Sequence, residues 1–145
     1  MEEGEGDLGT GVRKDVVYPE LSYQIVGALF DVSNEIGSGH LERVYQRAVA
    51  KALQQRNLSF VEQIPFDICF NGEKVGDYIL DFLIEGKVIL ELKQGDRFKR
   101  ANLDQVVAYL KATHCRLALL ANFTSQGVKY RRLVNIQKDV PPLDS

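Results

Sequence analysis

The chain has 145 residues, enough for one compact domain with a real core but too few for two comfortable ones. Its 45% hydrophobic and 26% charged residues are ordinary for a soluble globular protein, and no apolar run approaches the roughly 20 residues of a membrane span. A formal net charge of −2 excludes bulk charge as an attractor for nucleic acid, so binding of that kind needs a local basic patch.

Residues 1–18 are rich in Gly, Glu and Asp and show no periodicity, which predicts a flexible acidic tail before a single domain over 19–137. Leu21, Ile25, Leu29, Val32 and Ile36 recur at helical spacing after Pro19, and Gly37-Ser38-Gly39 ends that helix. A second helix is expected from Leu41 to Arg56, burying Leu41, Val44, Tyr45, Ala48, Val49 and Leu53, with Asn57 at its C-terminal end. Ser59 to Gln63 and Phe66 to Phe70 read as two extended segments separated by Pro65. Asn71-Gly72 predicts a tight turn into the next strand. A further strand covers Val88 to Lys93, followed by a Gln94-Gly95-Asp96 loop and a helix from Ala101 to Ala112 that buries Leu103, Val106, Val107 and Leu110. Arg116 to Ala121 is a buried strand, Val128 to Ile136 is the last strand, and 138–145 is a short C-terminal tail. The order α-α-β-β-β-β-α-β-β implies an α/β sandwich with a central mixed sheet flanked by helices.

Two strands carry charge where it is costly. In Asp77 to Ile84, alternation puts Tyr78, Leu80, Phe82 and Ile84 on one face and Ile79, Asp81 and Leu83 on the other. Both faces are mostly apolar, so Asp81 is a carboxylate between aliphatic neighbours, and burying it unpaired would cost several kcal/mol or force it to take a proton. In the following strand Glu91 and Lys93 share a face with Ile89. A three-residue Glu85-Gly86-Lys87 loop pairs Ile84 with Val88, Leu83 with Ile89 and Asp81 with Glu91, and keeps the faces matched. Opposed carboxylates with Cβ atoms about 5 Å apart repel, and a divalent cation with oxygen ligands removes the conflict. The plainer reading is a Glu91–Lys93 ion pair on a solvated face.

Cys69 and Cys115 are far apart with no C-x-x-C, and His40 and His114 offer no ligand spacing, which argues against zinc and iron–sulfur centres. The cysteine usage, with no basic and apolar leader at the start, points to a reduced, cytoplasmic setting.

Gly39-His40-Leu41-Glu42-Arg43-Val44-Tyr45 fits G-x-x-E-x-x-Y. Together with Gly72 to Gly76, Asp81, Glu91-Leu92-Lys93 and Tyr109 to Thr113, it resembles the GxxExxY group within the PD-(D/E)xK nuclease-like superfamily. The resemblance runs from Leu21 to Asn135, and Gln105-x-x-x-Tyr109 is similar to the Q-x-x-x-Y element of RecB-like nucleases. Leu80 stands where the superfamily's name has proline. The resemblance implies a restriction-endonuclease-like fold and a Mg²⁺-dependent nuclease, with Mn²⁺ as a substitute. It implies that Asp81, Glu91 and the Leu92 carbonyl hold the metal. Glu42 would be a further metal or water ligand. Lys93 would orient or deprotonate the attacking water, or offset charge on the phosphorus oxygens, and Gln105 would hold a phosphate or that water.

For Glu42 the alternative is an exposed helix residue, for Gln105 a helix-boundary residue, and for Tyr109 a core aromatic. Arg97, Lys99 and Arg100 surround Phe98 close to the site and could hold a nucleic-acid backbone, with Tyr109 beside them. Lys129, Arg131 and Arg132 form a second cluster. Each cluster also fits ordinary solvated surface. Three functions remain open: a nuclease acting on DNA or RNA, a catalytically inactive nucleic-acid-binding module, and a protein-interaction module. Assembly into a homo-oligomer is left open.

Overall fold

The computed structural model describes residues 17–135. Residues 1–16 of the expected tail over 1–18, the expected tail over 138–145 and the end of the last expected strand at Ile136 lie outside the described residues, whereas Val17 and Tyr18 are half-buried against the core. The elements are α1 (Pro19–Ile36), α2 (Glu42–Gln55), β1 (Phe60–Phe70), β2 (Glu73–Ile84), β3 (Val88–Gln94), α3 (Arg100–Thr113), β4 (Leu117–Thr124) and β5 (Gly127–Val134). The five strands form one sheet in the order β1-β2-β3-β4-β5. All neighbours are antiparallel except β3 and β4, which run parallel and are joined through α3. A parallel pair needs such a crossover because a tight hairpin can only reverse the chain. This is an α/β sandwich on a mixed sheet, of restriction-endonuclease-like type.

Each helix lies where its apolar stripe finds a sheet face. Ile25, Leu29 and Val32 of α1, with Tyr45, Val49 and Leu53 of α2, pack on Phe82, Ile84, Val88, Leu90 and Leu92 and on Leu117, Leu119 and Ala121 of β4. On the other face, Val106, Tyr109 and Leu110 of α3 pack on Leu80, Ile89, Ala118 and Leu120. β3 and β4 are covered on both sides, which is why they read as near-continuous apolar runs. The helix ends follow local chemistry. Gly37 at φ +73° stops α1. Asn57 at φ +61° closes α2, with Asn57 N–H to the Gln54 carbonyl (2.9 Å) and Leu58 N–H to the Leu53 carbonyl (3.1 Å), a Schellman ending.

Three expectations need correction. Ser59 to Gln63 and Phe66 to Phe70 belong to one long strand, β1, and Pro65 is tolerated because β1 is the sheet edge. The expected order therefore loses one strand. Leu41, Val44 and Val107 are exposed, since the stripes of α2 and α3 are narrower than the spacing of apolar residues allowed. Finally, β2 does not hold one set of faces: Phe82 and Ile84 join the α1/α2 core, whereas Leu80 packs towards α3 and Tyr78 contacts Tyr109 edge-on at 6.0 Å between centroids. The faces exchange at Asp81. The hairpin register is as expected, with Ile84 opposite Val88 and Leu83 opposite Ile89. Glu85 and Gly86 both take positive φ, as a primed two-residue turn requires, and Lys87 is the extra residue that sets the register.

Phe82 is fully buried, edge-on to Phe60 at 5.5 Å between centroids, under the two N-terminal helices. Phe82→Ala is expected to lower stability by about 3–5 kcal/mol, read as a fall in the urea midpoint at unchanged slope.

Candidate active site

The β2–β3 ladder stops at Phe82 opposite Leu90. The next residues, Asp81 and Glu91, continue it with side chains. Asp81 N–H donates to Glu91 Oε1 at 3.2 Å, and Leu92 N–H donates to Asp81 Oδ2 at 2.8 Å. Each carboxylate therefore satisfies a backbone donor at the point where the strands part. The N–H and C=O of a strand residue point to the same side, so the Leu92 carbonyl opens into that same gap. Gln63 of β1 reaches Asp81 Oδ1 from the other side, Nε2 to Oδ1 3.4 Å.

The gap is electrostatically expensive. Glu91 is only 3% exposed, and burial, then the Asp81 charge, pushes its carboxyl up to about 8. Burial also raises Asp81, helped by the Glu42 charge and opposed by the Leu92 N–H and by Lys93. Lys93 Nζ stands 3.6 Å from Glu91 Oε2, an ion-pair distance. The ion pair does not win, because desolvation and the neighbouring carboxylate together outweigh one partly exposed ammonium. Two facing carboxylates and one carbonyl make an all-oxygen donor set. That set fits Mg²⁺, which takes one or two protein carboxylates and keeps several waters. Among the described residues no three Asp, Glu, His or Cys side chains converge into a ready metal cage. Glu42 therefore acts on Asp81 through its charge and does not complete a three-carboxylate set in this conformation.

Glu42 is brought to the site by its helix end. It is the first residue of α2. One turn on, the Tyr45 hydroxyl donates to the Gly37 carbonyl at 2.7 Å, and its ring stacks on Phe123 at 3.9 Å between centroids. Gly39 at φ +90° lets the connection turn between those anchors. The spacing of Gly39, Glu42 and Tyr45 thus has a physical meaning: a turn, an exposed carboxylate and the buried ring that pins both.

On α3, the Tyr109 hydroxyl donates to the Ile79 carbonyl at 3.2 Å, and the half-buried Gln105 lies one turn earlier on the same helix. Tyr109 is wholly buried, so it packs beneath the site and presents nothing for a nucleic acid to touch. Burial, then Glu91 and Asp81, push its hydroxyl well above the usual range. Its site role is support of β2 at Ile79, two residues before Asp81.

Arg97, Lys99 and Arg100 are exposed, as expected of a basic cluster. Arg100 is engaged with Asp104 at 3.1 Å on the helix surface. The loop carrying Arg97 is tied down. Asn122 Nδ2 donates to the Arg97 carbonyl at 2.7 Å and the Gly95 carbonyl at 3.3 Å, Ser125 N–H donates to Asp96 at 2.7 Å, and the Arg131 guanidinium lies 4.6 Å over Phe98. The Ser125 N–H holds the Asp96 carboxyl below its ordinary value. Arg132 leaves the second cluster, being buried with Nη2 on the Val17 carbonyl at 3.1 Å. Sequence reasoning missed Asn122 and Gln63. Asn122 was detectable as an amide inside an apolar strand; Gln63 carried no signal.

The protein-family model described as the PD-(D/E)XK nuclease superfamily matches residues 19–133. The chain belongs to the PD-(D/E)XK nuclease superfamily. No curated protein and no solved structure gives a significant match. The matched span contains Asp81, Glu91, Leu92 and Lys93, the residues at the gap.

Unfolded, Glu91 releases its proton near 4.5; folded, near 8. Between those values the folded protein holds more protons, so metal-free stability falls as pH rises through that window. Glu91→Gln is expected to raise the melting temperature of the metal-free protein at pH 8, by on the order of a few kcal/mol in stability, and to do almost nothing at pH 4. An equal shift at both pH values would remove the buried charge as the cause.

Proposed function

We propose that this protein is a Mg²⁺-dependent nuclease that hydrolyses phosphodiester bonds in DNA or RNA. The observation that carries this reading is the pair of carboxylates at the parting of β2 and β3, each raised by burial, with Lys93 beside them. Membership of a nuclease superfamily supports the reaction class. Asp81, Glu91 and the Leu92 carbonyl would hold the cation. What Mg²⁺ supplies in such a site is polarisation of the phosphate and acidification of a water for in-line attack. Lys93 presents its ammonium to the same pocket, where it orients the water and offsets negative charge growing on the phosphorus oxygens. Water oxygen bonds to phosphorus as the bond from phosphorus to the leaving ester oxygen breaks; the attacking water gives up its proton to solvent and the leaving oxygen takes one from solvent.

The pinned β3–α3 loop gives Arg97 and Lys99 fixed positions for the substrate backbone, which lowers the ordering cost of each contact. The Gly39, Glu42 and Tyr45 arrangement supports placement in the GxxExxY group. Among the described residues no helix is long and apolar enough to cross a membrane.

Calorimetric Mn²⁺ titration tests the site. Wild type is expected to bind, Asp81→Ala and Glu91→Ala are expected to lose binding, and Lys93→Ala is expected to bind within a few-fold while cleaving at least about 100-fold more slowly. Undiminished cleavage by Lys93→Ala would remove Lys93 from the mechanism. Nucleic-acid binding without metal binding would favour the inactive module.

Binding to a short oligonucleotide should weaken with salt. Arg97→Ala and Lys99→Ala are each expected to reduce the slope of log K against log salt by about 1. An unchanged slope in both variants would place the backbone contacts elsewhere.

A further inference from the structure

The β1–β2 ladder runs from Glu62 opposite Phe82 directly to Ile64 opposite Leu80, so the Gln63/Asp81 pair is missing from it. Gln63 takes φ +55°, the left-handed region. The other non-glycine residues with positive φ are Tyr18, Asn57, Asn71, Glu85 and His114, all at helix ends or turns. Among the described non-glycine residues Gln63 alone takes a positive φ inside a strand. Glutamine has no intrinsic preference for it, so the surrounding structure must hold it there. Three other features meet at the same level: β2 exchanges faces at Asp81, the β2–β3 ladder ends, and Gln63 Nε2 lies 3.4 Å from Asp81 Oδ1.

We infer that Gln63 is a positioning residue: its left-handed backbone bends β1 away opposite Asp81, and its amide steadies the Asp81 carboxylate between the strands. A regular residue at 63 would extend the flat ladder across this level. β2 would then keep its faces, and the Asp81 side chain would lose the angle that lets Oδ2 accept from Leu92 N–H. The bend also carries the outer half of the β1–β2 ribbon towards α3, where Phe66 and Tyr78 meet Tyr109 edge-on at 5.6 and 6.0 Å. The Tyr109 hydroxyl then reaches the Ile79 carbonyl, so the same bend sets both supports of Asp81. The assignment rests on the reading of Asp81 and Glu91 as the metal-holding pair only for its functional consequence; the geometric claim stands without a metal.

Three variants separate the contributions. Gln63→Val favours an extended strand, Gln63→Asn tolerates the left-handed backbone and keeps an amide, and Gln63→Gly keeps the backbone but removes the side chain. The first readout needs no metal: amide hydrogen exchange at Leu92, which reports the Asp81 bond, relative to Leu90, which lies in the intact ladder. Gln63→Val is expected to lower Leu92 protection at least tenfold relative to Leu90, while Gln63→Asn stays within threefold of wild type. General destabilisation would lower both amides together, and parallel or unchanged protection would overturn the assignment. The second readout is Mn²⁺ affinity, expected to fall at least tenfold in Gln63→Val, to hold within threefold in Gln63→Asn, and to lie between in Gln63→Gly. Wild-type affinity in Gln63→Val would overturn the functional consequence. If wild type binds no Mn²⁺, the metal reading fails by itself, and the exchange ratio still decides whether Gln63 positions Asp81.

Discussion

Everything at the centre of this molecule depends on a reciprocal exchange between two side chains and two backbone amides. Asp81 offers its N–H to Glu91, and Leu92 offers its N–H to Asp81. A sheet interior tolerates a break in its ladder only if the exposed donors find acceptors, because an orphaned buried amide costs as much as a lost hydrogen bond. Here the carboxylates are those acceptors. The bonds let β2 and β3 part, and the parting gives the carboxylates a pocket with a backbone carbonyl at its edge. Structure and chemistry use the same four groups.

That arrangement is tense without a counter-ion. Two carboxylates share a poorly solvated gap, both raised by burial, and one ammonium beside them does not restore balance. A divalent cation held there, as proposed, would relieve the deficit, so the burial that makes the metal-free gap costly is the same property that would favour a hard metal. The rest of the fold holds the tension in place. Tyr109 ties α3 to the Ile79 carbonyl, Tyr45 fixes the helix end that presents Glu42, and Asn122 anchors the loop that displays Arg97. Each is a buried polar group bonded to a main-chain carbonyl, which gives positional accuracy that exposed ion pairs such as Arg100–Asp104 do not.

The division of charge around the site follows the same economy. The exposed β1–β2 ribbon carries Glu62, Asp67, Glu73 and Asp77, whereas Arg97 and Lys99 stand on the opposite flank of β3. The separation is partial: Asp96 and Asp104 lie near Arg97 and Lys99, where they accept from Ser125 N–H and Arg100, and Lys74 pairs with Asp67 and Asp77 on the ribbon.

The amino-acid sequence by itself determined the element types, the hairpin register and the identity of the central pair. These depend on periodicities of 3.6 and 2 and on the cost of charge in apolar strands, all of which are local. Asp81 and Glu91 stood out because a carboxylate among Ile, Leu and Phe needs a reason. Only the tertiary structure decided that β1 continues through Pro65, since tolerance for proline depends on being at the sheet edge. It alone showed that Leu41 and Val44 face outward, that Tyr109 is enclosed and Arg132 buried, and that β2 exchanges its faces at Asp81. It alone revealed Gln63, whose left-handed backbone is a property of its place between strands and leaves no trace in residue type. Chemical cost is written in the chain one residue at a time; which groups meet to relieve it depends on contacts between segments far apart in sequence.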